Sequence, residues 1–152
     1  MTADTKSFAL TGGCLCGAVR YTALAPAHSV LHCHCSQCRR SHATLVGTSA
    51  TIDRDKLQID EGEAQLSSFE HPPGNHRKFC RTCGSSVFYV ADELPDVLFY
   101  FPATLDGGAH PGHDVAAEHH IHLASRAHWE PFNTQLPEHE GGIDRATLLN
   151  HK

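Results

Sequence analysis

The 152-residue sequence is poor in several features that mark large protein classes. Aromatic residues make up 7% of it, with one tryptophan and one methionine, and charged residues 19%. No stretch approaches the ~20 consecutive apolar residues of a membrane helix, so no membrane partner is expected. The longest apolar run among the first thirteen residues is Phe8-Ala9-Leu10, too short for a secretory signal. A cytoplasmic protein with reduced thiols is therefore expected. Basic residues are outnumbered, 12 Lys and Arg against 17 Asp and Glu, and the net charge of -5 speaks against a nucleic-acid partner. An apolar share of 40% excludes a disordered chain, and the length suits one domain with a modest core.

Two residue types are abundant instead: 7 cysteines and 14 histidines. An odd number of cysteines cannot pair completely, and cysteine together with histidine points to metal binding. Helical periodicity is scarce. Short runs rich in Val, Ile, Thr, Phe and Tyr predict strands at 18–22, 29–33, 44–51, 65–69, 86–90, 97–101 and 119–123. Pro72-Pro73-Gly74-Asn75 and Asp106-Gly107-Gly108 predict turns. Asp53 is expected to cap one helical turn, and a second turn is expected at 146–149, in a tail prone to fraying. The expected fold is mainly β: one domain of several short antiparallel β-sheets over 10–140, with an extension over 1–9 and a tail over 141–152.

The cysteines fall into three tight groups: Cys14-Leu15-Cys16, Cys33-His34-Cys35-Ser36-Gln37-Cys38 and Cys80-Arg81-Thr82-Cys83. Such spacing lets one turn aim two sulfurs at one ion, and the glycines beside them permit tight backbone. A structural zinc takes four protein ligands, whereas a catalytic zinc takes three and keeps one position open. Spacing thus favours Cys14, Cys16, Cys80 and Cys83 on a closed structural zinc, with Cys33, Cys35 and Cys38 on a second, open one. A single zinc ribbon using Cys35, Cys38, Cys80 and Cys83 is the simpler alternative, but it leaves three cysteines without a role. A redox dithiol at Cys35-x-x-Cys38 lacks the usual strand-to-helix context.

These motifs resemble those of the glutathione-dependent formaldehyde-activating enzyme family, whose domain also occurs in centromere protein V. Gly12-Gly13-Cys14-Leu15-Cys16-Gly17-Ala18-Val19-Arg20-Tyr21 is similar to its opening motif, Cys33 to Arg40 to its second, and Phe79 to Ser85 to its third. His120-Ile121, Ser125, Ala127, Trp129 and Leu136-Pro137 match its C-terminal signature. The resemblance implies a zinc-bound β-fold with two Zn²⁺ per chain in the same partition. It further implies a carbon–sulfur lyase that joins a small-molecule thiol, glutathione, to formaldehyde or a related aldehyde, giving S-(hydroxymethyl)glutathione. The alternative is a non-catalytic zinc-stabilised binding module of the same fold. One departure is Ala43, where the family has glycine; a positive φ there would strain alanine.

Arg39 and Arg40 adjoin the open site and are the candidate anchors for substrate carboxylates, ahead of Arg77 and Arg81. His32, His34 and His42 flank the triplet and are expected at the surface or just behind the ligands. His110, His113, His119, His120 and His122 form the most tempting third metal site, although alternation points His120 away from its neighbours. Trp129 is expected to pack at the core or a sheet edge.

Overall fold

A computed structural model describes residues 7–130 and 136–150. Ten strands form two sheets. The smaller runs in the order β1 (Leu10–Gly13), β2 (Arg20–Ala23), β5 (Leu57–Glu61). The larger runs β10 (Glu118–Ile121), β3 (Ser29–Cys33), β4 (Gly47–Asp53), β9 (Val97–Tyr100), β8 (Ser86–Ala91), β7 (Asn75–Cys80), β6 (Leu66–Glu70). Every pairing is antiparallel except β10 with β3, which is parallel and joins segments far apart in sequence.

The alternation of side chains assigns each face of the larger sheet to its own core. From β9, whose four residues are all buried, Leu98 and Tyr100 join one cluster and Val97 and Phe99 the other. On the first face the small sheet supplies Tyr21 and Ala23, with Val19 just before β2, and the Tyr21 ring meets Phe88 edge-on at 5.3 Å. The second face buries Leu31, Phe99 and Ile121 beneath Leu148 and Leu149 of the C-terminal segment. Fraying therefore stops short of α2 (Arg145–Leu148), which Asp144 caps through the Thr147 N–H.

Several local expectations need correction. Asp53 precedes a 3-10 turn at Arg54–Lys56, but its carboxylate does not cap it and instead holds His28 Nε2 at 3.0 Å. Residues 44–46 are turn rather than strand. Trp129 belongs to neither core nor edge, being 75% exposed. A helix not expected at all, α1 (Ser36–His42), follows β3, so Cys35-x-x-Cys38 does have the strand-to-helix setting it was expected to lack; none of the helix's residues is buried, so it carries no apolar stripe to read.

Candidate metal centres and cavity

Two groups of cysteine sulfurs converge, each with its sulfurs within 4.8 Å of one another: Cys14, Cys16, Cys80 and Cys83, and Cys33, Cys35 and Cys38. Among the described residues these are the groups of three or more metal-ligating side chains so gathered. The single-ribbon alternative fails, because Cys35 and Cys38 stand apart from Cys80 and Cys83.

The first group is built from two turns. Gly17, at φ 79°, lets the chain after β1 turn so that its N–H reaches the Cys14 carbonyl at 3.1 Å. Gly84, at φ 76°, does the same between β7 and β8, returning its N–H to Cys80 at 2.8 Å. The edge of a tetrahedral zinc–sulfur cage with bonds of ~2.3 Å is about 3.8 Å. Cys14 and Cys16 sulfurs are 3.6 Å apart, and Cys16 and Cys80 3.8 Å. The Val19 N–H donates to Cys14 Sγ at 3.2 Å, and the Ser85 hydroxyl holds the Cys83 thiol down to about 5. Four soft donors at this spacing fit zinc.

The second group spans one loop. Cys33 ends β3; Cys35 occupies the N-cap of α1 and its sulfur accepts from the Cys38 N–H at 3.3 Å; Cys38 sits in the first turn. Gly47 lies opposite, where a Cβ would stand 3.0 Å from that of Cys38. The Cys33 and Cys38 thiols donate to Cys35 and push it far below the usual thiol range, while Cys33 is pushed up by the same contacts and by burial. Three sulfurs with a thiolate already favoured among them also fit zinc, with one position left for a further ligand.

Behind this loop lies a buried polar chain. His34, expected at the surface or just behind the ligands, takes the second of these positions: it has no exposed side-chain area, because its ring turns inward between Glu130 and His120. Its Nδ1 lies 2.8 Å from Glu130 Oε1 and its Nε2 2.7 Å from His120 Nδ1. His120 stacks on His32 at 4.8 Å, and His32 and His113 both reach Glu118, at 2.6 and 3.3 Å. Of the histidines at 110–122, His113 thus engages a carboxylate, His110 stacks on His113, His119 meets His139 and His120 meets His32 and His34, while His122 lines the cavity in front of the triplet.

In front of the triplet opens a cavity of about 650 Å³. Neither Arg39 nor Arg40 lines it. The Arg39 guanidinium is spent on the backbone carbonyls of His34 and Ser125, at 3.2 and 2.5 Å, and Arg40 faces a separate shallow depression beside Phe69. The cation that does line it is Arg77, carried by β7 with Asn75 on the same face. Its guanidinium lies 5.6 Å from the centroid of the Tyr89 ring and donates to Gln37 Oε1 at 3.3 Å and to the His71 carbonyl. Among the described residues Arg77 has no carboxylate partner, and its charge reaches Cys38 and His42. The period-two spacing of Asn75 and Arg77 is the one sequence signal that pointed to this wall.

The family model for glutathione-dependent formaldehyde-activating enzymes matches residues 9–125. A Halomonas elongata protein provisionally named as such an enzyme is 29% identical over 108 residues, covering 64% of this chain and 66% of that protein. A crystal structure of a Rhodobacter sphaeroides protein superposes with a TM-score of 0.54 at 26% identity, covering 64% of this chain and 89% of the other. With both cysteine groups, their order and the β-fold in agreement, the chain belongs to the glutathione-dependent formaldehyde-activating enzyme family.

Proposed function

We propose that the protein is a zinc-dependent carbon–sulfur lyase that adds a small-molecule thiol, with glutathione as the first candidate, to a small aldehyde at the Cys33/Cys35/Cys38 site. The observation that carries this reading is the three-sulfur group in the lining of a cavity together with an arginine that has no carboxylate partner among the described residues. Zinc held there would lower the pKa of a bound thiol and stabilise negative charge on a carbonyl oxygen. Arg77 binds a carboxylate of the thiol substrate, held in place by Gln37, the His71 carbonyl and the Tyr89 ring, so that little of its freedom is lost on binding. Arg39 instead ties the Cys33–Cys35 segment to the turn at Ser125 and keeps the sulfurs in register. Glu130 and His120 brace the same segment from behind through His34. Cys14, Cys16, Cys80 and Cys83 would hold a second, structural zinc. All seven cysteines are unpaired, in keeping with a reducing compartment such as the cytoplasm.

The test is the rate of S-(hydroxymethyl)glutathione formation followed by exchange NMR. The zinc-loaded protein should exceed the spontaneous rate, and both Cys35→Ser and zinc removal should return the reaction to it. A rate unchanged by either treatment overturns the reading.

A further inference from the structure

The two molecules in the family's name leave half of the cavity unexplained. Glutathione is polar along its whole length, and formaldehyde has no hydrocarbon to bury. The wall formed by Asn75, Arg77, Gln37 and Tyr89 suits such a thiol. The rest of the lining is different in kind, beginning at Phe99, whose ring meets that of Tyr89 at 5.2 Å. Leu31, Phe99 and Ile121 from the sheet, with Leu94 from the β8–β9 connection and Ile143 and Leu148 from the C-terminal segment, line the same cavity. The same six side chains belong to the apolar cluster against which Cys33, Cys35 and Cys38 pack. The lining around the sulfurs therefore has a polar part at Asn75, Gln37 and Arg77 and an apolar part at Leu94, Ile143 and Leu148. Amides pressed against the apolar side would lose hydrogen bonds to water without replacement.

Taking the lyase reading above as its basis, we infer that the carbonyl substrate carries a hydrocarbon group of several carbons, which lies against the Leu94/Ile143/Leu148 side while the thiol lies along Arg77. The reaction balances without an oxidant. The substrate sulfur forms a bond to the carbonyl carbon, the π pair of C=O moves to oxygen, and the proton lost from the thiol ends on that oxygen, giving a hemithioacetal. Nothing is oxidised or reduced, and the reverse direction breaks the same carbon–sulfur bond.

Product-shaped thioethers test the subsite without turnover. Calorimetric titration of the zinc-loaded chain with S-methylglutathione and S-hexylglutathione compares a one-carbon group with a six-carbon one. At about fourfold per fully buried methylene, a partly enclosed hexyl group should tighten binding at least about tenfold. It should also make the heat-capacity change more negative. The double variant Leu94→Asn/Ile143→Asn, at two half-buried positions, should reduce that ratio to about one. Equal affinities for the two thioethers overturn the inference whatever becomes of the variant. A hexyl preference that survives in a folded double variant also overturns it, because the chain would then bind elsewhere. The lyase reading fails separately: a hexyl preference together with a thiol-addition rate that ignores Cys35→Ser leaves the subsite standing and removes the chemistry.

Discussion

The two cysteine groups lie on opposite faces of one sheet and differ in what they connect. Cys14 and Cys80 both belong to the core shared with the small sheet, and Cys16 and Cys80 touch across 64 residues of sequence. An ion there ties the first strands of the chain to the β7–β8 hairpin. Cys33, Cys35 and Cys38 lie within one loop, so an ion there closes almost no chain, yet this is the group that opens on a cavity. On the proposed function, similar ligands would serve stability where they bridge distant segments and chemistry where they are local. Loop closure explains the first, since cross-links over long separations remove more unfolded-state entropy.

Cutting one ligand from each group breaks or upholds this contrast with the largest effects. Cys80→Ser should lower Tm by at least about 10 °C, because a lost structural site removes several kcal/mol from a chain of this size. Cys35→Ser should shift Tm by less than about 3 °C while abolishing the catalysed rate. Thermal melts read beside the NMR rate decide it, and equal losses of Tm in the two variants would erase the distinction.

The next effect sharpens the open face. Arg77→Ala should raise KM for glutathione about tenfold with kcat nearly unchanged, the loss expected for one partly exposed charge-assisted contact. Arg39→Ala should leave KM within about twofold, since its guanidinium already serves two backbone carbonyls. Steady-state kinetics on both variants separates the anchor from the brace; a KM effect in Arg39→Ala alone would reverse the assignment.

Among the described residues a histidine network lies behind the open group, and acid should reveal it. Burial, with His32 and His34 adding to it, pushes His120 down to about 4, against the opposing pull of Glu118 and Glu130. In the unfolded chain His120 titrates near ~6.5. Between these values the unfolded state binds a proton that the folded state refuses, so stability falls as pH drops from about 6.5 towards 4. Urea midpoints measured across that window should decline, and His120→Gln should flatten part of the decline. A parallel slope in the variant would assign the whole loss to the thiolates releasing their metal.

The strands and the ligand groups were legible in the sequence for different reasons. At 29–33, 86–90 and 97–101, β-branched and aromatic side chains mark buried strands, and β3, β8 and β9 lie there. The cysteine partition was legible because a metal imposes spacing on its ligands. β1, which reads Leu-Thr-Gly-Gly, and β7, with His76, Arg77 and Lys78 in succession, carry no apolar signature and were not. Partners supplied by distant segments stayed hidden for a deeper reason. The parallel pairing of β10 with β3 brings His120 against His32, while Glu130 reaches His34, so the interior position of His34 depends on contacts from 86 to 96 residues away. The same reason puts Arg77, rather than Arg39 or Arg40, in the cavity lining: adjacency along the chain is not adjacency across the sheet.

Position 43 is the one place where a departure in the sequence gave a local strain that the structure displays. Ala43 closes α1 at φ 51° and ψ 40°, returning its N–H to the Arg39 carbonyl. The left-handed conformation costs a residue with a Cβ roughly 1–2 kcal/mol. Glycine relieves that cost but gives back part of it through the greater freedom of the unfolded chain, about 0.5–1 kcal/mol. Ala43→Gly should therefore stabilise the protein by about 0.5–1 kcal/mol, a rise in Tm of about 2 °C. The effect is small, but its sign is informative. A higher Tm with unchanged zinc content would show that the helix end beside the open group stores strain the fold does not need. A lower Tm would mean that the Ala43 methyl makes contacts worth more than the strain, and that the loop after Cys38 is supported from its outer side as well as from the histidines behind it.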